Sequence, residues 1–451
     1  MKDTTVLLES VRKLLRRGAT VHLLNMLLKV RPADLAEAFK SLDEEEKAAA
    51  FRLLAERAVP QAAALLGLIH PAHRADVLRG MGPDELAPVL QRLPSDDVAE
   101  ILSIGSQADR DRILSLMQKE ASEEIQELLE YEEDTAGRIM TTRFLALPES
   151  TSVQEAIASV QKAQEAEMVF YLYVVDAQGG LKGVLSLRKL LSVPPATALK
   201  DIMTVDVISA RPETDQEEVA RIVSQYDLLA VPVVDADNVL MGIVTIDDVV
   251  DVMREEATED IYKLAGTSDE ERLTRSTLKA AGLRLPWMFA AFGGGLLGAL
   301  VIRAYTPWIA RAASLACFIP VVLGMGGNIG TQAATIMARG LSTGRISLRL
   351  VSEVIFKEIR IALLLGSIYG TLLGIAAVVL VGLRPAEGLA VGLSLWMSMV
   401  MAAVLGAVLP MILKSIHIDP AVATSPFVTT AVDLLGLLAF FGVAGPRLAG
   451  P

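Results

Sequence analysis

The stretch PAVATSPFVTTAVDLLGLLAFFGVAGP, Pro420 to Pro446, carries a single charge. Asp433 stands in its middle, twelve residues from Ala421 and twelve from Gly445. A bilayer crossing needs about 20 apolar residues, so this run is long enough. A carboxylate at the midplane costs roughly 2.5–3.5 kcal/mol on insertion scales. A chain that keeps one there faces it toward water, a partner or a cation. Thr424, Thr429 and Thr430 set hydroxyls around it, and Pro426 loosens the helix one turn before.

Working back from this run, charge-free stretches give four more spans: Leu285–Ile302, Ala312–Ala338, Ile361–Leu383 and Gly388–Leu413. The second contains Gly324-Met-Gly-Gly-Asn-Ile-Gly-Thr-Gln332. Its glycines permit either a close helix approach or a broken helix whose carbonyls line an aqueous path. Asn328 and Gln332, four apart, share a face. Packing with interhelical hydrogen bonds is the plainer alternative. Gly294 and Gly298 make a small-xxx-small step for close packing, and Trp287 and Trp308 are expected at the two interfaces. Cys317 has no partner in the chain, which excludes a disulfide framework, and reads as a small buried apolar residue.

The 451 residues divide by charge. Up to Glu270 there are 48 acidic and 28 basic residues; beyond it, 6 and 14. The first part belongs in water and the second in a membrane with basic edges. Arg339, Arg345, Arg349, Lys357 and Lys414 fall in the loops assigned inside; Arg303, Arg311 and Arg384 fall outside. This bias places the N-terminus in the cytoplasm and the C-terminus outside. Met1–Arg17 lacks the apolar core of a signal peptide, in keeping with a cytosolic soluble part.

Immediately before the first span, Asp247, Asp248, Asp251, Glu255, Glu256, Glu259 and Asp260 follow one another on one helix, which turns basic at Arg272, Arg275, Lys279 and Arg284. Asp248, Asp251, Glu255 and Glu259 share a face, where like charges repel by a few tenths of a kcal/mol per pair. Bound divalent cations relieve that repulsion; a solvated face is the alternative. In the first 131 residues, Leu and Ala recur at helical spacing with Pro or Gly punctuation, as in a small helical solenoid. Asp96, Asp97 and Glu100 there are either a cation site or, more simply, helix caps. His22, His70 and His73 lack metal-ligand spacing.

Between these regions the chain repeats itself. Ile139-Met-Thr, Tyr173-Val-Val-Asp176 and Gly183-Val-Leu-Ser186 recur as Ile202-Met-Thr, Val231-Pro-Val-Val-Asp235 and Gly242-Ile-Val-Thr245. Each copy reads β-α-β-β-α. The repeat resembles a tandem pair of cystathionine-β-synthase-type (CBS) domains. That resemblance implies a sensor for adenine nucleotides or, alternatively, a dimerising scaffold. Thr245 and Asp248 match the ribose-binding pattern. The first copy has Lys189 where Asp is expected, leaving Arg188 and Tyr171 to meet a phosphate and a base. Whether ATP binds stays open.

Helical acidic domain, CBS pair, acidic helix and five spans, in this order, resemble the MgtE family of magnesium channels and transporters over essentially the whole chain. The most specific parts are Gly326-Gly-Asn-Ile-Gly-Thr-Gln332 and the Asp433 span. The expected protein is a multidomain membrane protein: an α-helical N-terminal solenoid (1–131), an α/β tandem CBS pair (132–200 and 201–253), a connecting helix (254–284) and a five-helix transmembrane domain (285–451). The family implies a homodimer in the bacterial-type cell membrane, with one pore passing hydrated Mg²⁺ between the Asp433 residues of both subunits and lined also by Asn328, Gln332 and Thr429. It further implies closure by cytosolic Mg²⁺. The candidate ligands are Asp96, Asp97 and Glu100 facing Asp248 and Asp251, with Asp215, Glu217 and Asp227 nearby and Glu255, Glu256 and Glu259 along the helix. Asp260 and Asp419 would share a cation in the closed state. A proton-coupled carrier of Mg²⁺, Co²⁺, Ni²⁺ or Mn²⁺ is the rival, and a membrane-anchored nucleotide receptor is a third reading. Phosphate-cradling, nucleophile-triad and zinc motifs are missing from the sequence, so no enzyme is expected, and no nucleic-acid partner.

Overall fold

The computed structural model describes residues 2–103, 105–162, 170–268, 271, 274, 276–311, 313–344, 346, 351–416, 418–421 and 426–448. Thr424, Arg272, Arg275, Arg345 and Arg349, singled out above, lie outside them. The chain forms two compact units, Met1–Met253 and Arg254–Pro451.

The first unit begins with short helices, from Lys2–Arg16 to Lys119–Glu130. Proline opens several of them, at Pro32 and Pro83 for example, where its missing N–H costs nothing. Asp43 and Glu46 close a reciprocal capping box. The apolar faces of these helices form one core with the second CBS copy, running from Val11 to Val252. Arg138 crosses that junction, donating to the carbonyls of Leu128 and Ala99 from a buried position.

In the first CBS copy, β1 (Ala146–Pro148) lies parallel to β2 (Tyr171–Val175), which pairs antiparallel with β3 (Leu181–Ser186). The second copy keeps only β4 (Ala230–Val234) and β5 (Leu240–Thr245). Its expected first strand shrinks to one bridge, Ala210 to Val233. The reason is Pro232. The Ala210 N–H donates to the Pro232 carbonyl, but Pro232 has no N–H to continue the ladder. Its counterpart Tyr173 donates to Leu145 in the first copy.

The repeated motifs pack on each other crosswise. A Cβ on Gly183 would lie 2.6 Å from the Met203 sulfur, and one on Gly242 would lie 2.7 Å from the Met140 sulfur. Thr204 exchanges both backbone hydrogen bonds with Val184, and Thr141 with Ile243. Each copy thus receives the opening residues of the other, which explains why Ile-Met-Thr and Gly-Val/Ile repeat together. Helix α1 (Ile246–Leu264) follows β5 and runs past Met253 into the second unit.

The second unit holds α2 (Thr277–Ala304), α3 (Ile319–Ser342), α4 (Val351–Val381), α5 (Pro385–Ser415) and α6 (Pro426–Leu448). Four helical segments among the described residues are long and apolar enough to cross a membrane: α2, Ala313–Ser342, α4 and α5. The 23-residue α6, apolar over Phe427–Val443, makes the fifth helix of the unit. It starts at Pro426 rather than Pro420. Helix α4 starts at Val351, ten residues before the expected span, so Glu358 belongs to the helix and not to a loop. Glu358 is buried, and its Oε1 takes no hydrogen bond among the described residues. Cys317 is exposed, contrary to expectation. It lies in the 3₁₀ turn Ala313–Phe318, whose three-residue period turns Leu315 and Phe318 inward and leaves Cys317 outside.

Glycine sets the helix spacing. In α4, Gly370 and Gly374 face Gly392 and Gly388 of α5. A Cβ on Gly370 would lie 2.6 Å from the Gly392 carbonyl, and one on Gly374 would lie 2.8 Å from that of Gly388. Such backbone-to-backbone approach supplies the packing that holds helices together where water does not.

Candidate functional site

Helix α3 runs unbroken through the Gly324–Gln332 segment, so of the two possibilities the glycines supply close approach. A Cβ on Gly330 would lie 2.8 Å from Val432 and 3.3 Å from the Ala402 carbonyl; one on Gly326 would lie 2.8 Å from the Ser398 hydroxyl. Val432 of α6 is seated against that groove and is fully buried. Two residues earlier, Thr430 occupies the notch left by Gly294 of α2. With Val432 turned to α3 and Thr430 to α2, the helical step of 100° brings Asp433 into the space between them.

That space is a cavity of about 590 Å³. Asp433, Thr331, Thr429 and Thr430 line it, with Trp287 and Gly294, Gly295 and Gly298 of α2. Leu264, Ala265 and Gly266, where α1 ends at a left-handed glycine, line it too. Asp433 is the sole charged side chain among the described lining residues, and its neighbours there are apolar or hydroxyl-bearing. It is half-buried and lines the cavity, where no basic side chain stands among the described residues. Trp287, expected at an interface, packs edge-on against Phe427 beside this cavity. Asn328 and Gln332 do share a face of α3, but an exposed one that does not line the cavity.

At the end of α1, Asp260 and Asp419 each accept from a basic side chain of the chain itself. Asp260 accepts from Arg339 at 2.7 Å and from the Ser342 hydroxyl at 3.2 Å. Asp419 accepts from Lys263 at 2.7 Å, while its other oxygen takes the Ala421 N–H at 2.8 Å. Lys263 also reaches Glu259 at 2.8 Å. Burial draws the Lys263 pKa down, but Asp419 and Glu259 outweigh it and hold the ammonium above its ordinary value. Past Gly266, Glu271 is held down to about 2 by Arg284 and the Thr267 hydroxyl.

The other acidic candidates lie in the first unit or along α1. Arg74, almost wholly buried, faces Glu100 at 2.5 Å and Asp97 at 3.7 Å, so a side-chain cation already sits among the N-domain acids. Asp96 is in the first turn of the same helix, Ser95–Ser103. Asp215 caps Gln216–Tyr226 through the Glu217 N–H, and Asp227 ends that helix in the left-handed conformation. Asp248 accepts from the Thr245 hydroxyl, the pair expected at the ribose site. Asp251, Glu255 and Glu256 continue along α1. No group of three His, Cys, Asp or Glu side chains able to hold a metal converges among the described residues. A stripe on one helix spreads its carboxylates along the axis, so a shared cation needs oxygens from another surface. Tyr171 opens β2 and packs in the cluster of Tyr173, Ala230 and Ile243 that joins the two copies; Arg188 lies in the turn of helix after β3. The sequence reading missed Arg339 and Arg74 as partners, and Lys263 as the partner of Asp419, because these pairs join residues distant in the chain.

Comparison with known proteins bears on all of these regions. The profile of MgtE, a divalent cation transporter, matches residues 319–443; that of the MgtE intracellular N domain matches 30–134; and that of the CBS domain matches 136–195 and 199–255. The magnesium transporter MgtE of Bacillus subtilis (strain 168) is 37% identical over 72% of this chain and 72% of its own. The magnesium transporter MgtE of Thermus thermophilus is 38% identical over 71% and 72%. Among solved structures, the cytosolic domain of the Mg²⁺ channel MgtE in complex with ATP is similar with a TM-score of 0.51 at 37% identity, covering 54% of this chain and 99% of that one.

Proposed function

The chain belongs to the MgtE family of magnesium transporters, and from that premise we propose that it is a Mg²⁺ channel closed by cytosolic Mg²⁺. The observation that carries the conduction half is Asp433, the one charged side chain among the described residues of a cavity between apolar helices, with hydroxyls around it. Mg²⁺ gives up water reluctantly and suits one or two carboxylates plus several waters better than a full protein cage. Asp433 supplies the field. Thr331, Thr429 and Thr430 accept hydrogen bonds from the ion's water. The pore forms in a homodimer, each copy contributing its Asp433 and the polar face of Asn328 and Gln332. The protein sits in a bacterial-type cell membrane with its N-terminus in the cytoplasm, divided into the five domains read from the sequence.

Regulation resides in the acidic part. Cytosolic Mg²⁺ relieves repulsion between Asp248, Asp251, Glu255, Glu256 and Glu259 of α1 and the acids at Asp96, Asp97, Glu100, Asp215, Glu217 and Asp227. It also binds at Asp260 and Asp419, where α1 meets the helices of the second unit. The end of α1 then stays in the Asp433 cavity and blocks it; Leu264–Gly266 line that cavity. ATP is the ligand of the CBS pair, held at Thr245 and Asp248 with Tyr171 and Arg188. The Thr245–Asp248 contact and the ATP complex of the similar cytosolic domain support this.

The test is single-channel recording from purified protein with stepped Mg²⁺ on the cytosolic face. The wild type closes as Mg²⁺ rises. With Asp248, Asp251, Glu255 and Glu259 changed to their amides, channels stay open at Mg²⁺ that shuts the wild type; normal closure would remove the stripe from the mechanism. Glu358 favours a second reading, since a buried acid in α4 is a group a proton-coupled carrier needs. In that case uptake follows an imposed proton gradient at fixed voltage.

A further inference from the structure

The three carboxylates at the end of α1 are held by cations belonging to the chain itself. Lys263 Nζ lies 2.7 Å from Asp419 and 2.8 Å from Glu259, and Arg339 Nη1 lies 2.7 Å from Asp260. These are the oxygens that the proposed function gives to a regulatory divalent ion. They cannot serve both occupants at once, because an ammonium at 2.7 Å fills the approach that a metal or its water ligands must use. We propose that Lys263 is a tethered counter-ion that competes with the regulatory divalent cation for Asp419 and Glu259, and so sets the Mg²⁺ concentration at which α1 locks in place. The inference rests on the regulatory reading above.

Three features of the contact make Lys263, rather than Arg339, the competitor. Its ammonium is a compact point charge on a flexible stem, without the planar two-point fork of a guanidinium, so it binds and leaves as a small ion does. Its side chain is 27% exposed, which gives the head a path to water once displaced while the stem stays packed. And it bridges two carboxylates from separate segments, Glu259 of α1 and Asp419 before α6, as a shared metal would. Asp419 is turned toward that position by the Ala421 N–H on its other oxygen. Among the described residues, three carboxylates stand against two cations at this contact, a deficit of one positive charge. A divalent ion that displaces Lys263 into solvent brings these charges to balance, three negative against Arg339 and the ion. If the ammonium stays, it repels the ion at close range.

The test uses the full-length protein in lipid nanodiscs. Hydrogen–deuterium exchange of residues 255–268 is followed as Mg²⁺ is stepped, which reads the state of the helix without reference to transport. The wild type slows its exchange as Mg²⁺ rises, and the midpoint is recorded. Lys263→Met and, as a second neutral variant, Lys263→Gln are expected to move that midpoint about tenfold lower, the effect of removing one close like charge at a partly buried site. Lys263→Arg keeps the charge and adds the two-point fork, so its midpoint is expected at or above that of the wild type. Neutral variants with an unchanged or higher midpoint overturn the inference, since Lys263 would then be a plain strut of the closed arrangement. Wild-type exchange that ignores Mg²⁺ removes the regulatory reading and this inference with it, whereas a responsive wild type with unresponsive neutral variants removes the inference alone.

Discussion

Asp433→Ala is expected to abolish Mg²⁺ uptake by purified protein in liposomes, with flux down by at least about a hundredfold, while the protein stays folded. Two effects of opposite sign lie behind this. An unpaired carboxylate among apolar helices is a burden on the fold, roughly 2.5–3.5 kcal/mol on insertion scales at mid-depth. Removing it therefore leaves the melting temperature unchanged or higher. For conduction the same charge is indispensable, because it is the one charged side chain among the described residues of the cavity. A doubly charged hydrated ion entering an apolar enclosure without it meets no compensating field. Asp433→Asn separates charge from shape: it keeps the side-chain volume and a polar tip, and it too is expected to fail. Uptake at the wild-type rate by either variant would disprove the conduction role. Loss of uptake together with loss of folding would place Asp433 among the packing residues.

What the sequence discloses follows the range of the interaction behind each feature. The CBS repeat is legible because its partners, Met140 with Gly242 and Met203 with Gly183, are themselves repeated. The second copy's first strand was expected from the repeat and is lost, because Pro232 stands where Tyr173 donates in the first copy and a β-ladder cannot pass a residue without an N–H. The start of α4 was hidden: Glu353, Lys357 and Arg360 end any hydropathy run, yet a helix needs no membrane to continue. Cys317 misled because apolar neighbours indicate a span but not which side of a turn faces inward. At the site, Asp433 stood out as a charge in an apolar run, whereas its orientation depends on Val432 seating against Gly330 and Thr430 against Gly294, contacts between segments a hundred or more residues apart. Lys263 and Asp419, 156 residues apart, leave no local pattern at all.

Those same contacts predict that Gly406→Ala, the addition of one methyl group, disables the pore domain. Helix α5 passes α3 so closely that a Cβ on Gly406 would run into the Gly330 carbonyl group, with the Gly330 Cα only 3.2 Å away. The obstacle is backbone, which has no rotamer to relieve the clash, so the helices themselves must part. Overpacking of this kind costs about 1–3 kcal/mol. The displacement then passes to the site, because Gly330 also carries Val432, 2.8 Å from where its own Cβ would be, and Val432 sets the rotation of α6 that presents Asp433. Gly282→Ala is the control. Nothing lies within 4 Å of its added carbon, and an exposed helix position gains up to about 1 kcal/mol from alanine. Thermal denaturation in detergent should therefore show Gly406→Ala melting several degrees below the wild type, with uptake reduced, and Gly282→Ala melting at or above it with uptake intact. If Gly406→Ala melted and transported like the wild type, α3 and α5 could not be packed backbone to backbone, and the account of how Asp433 comes to face its cavity would fail with that contact.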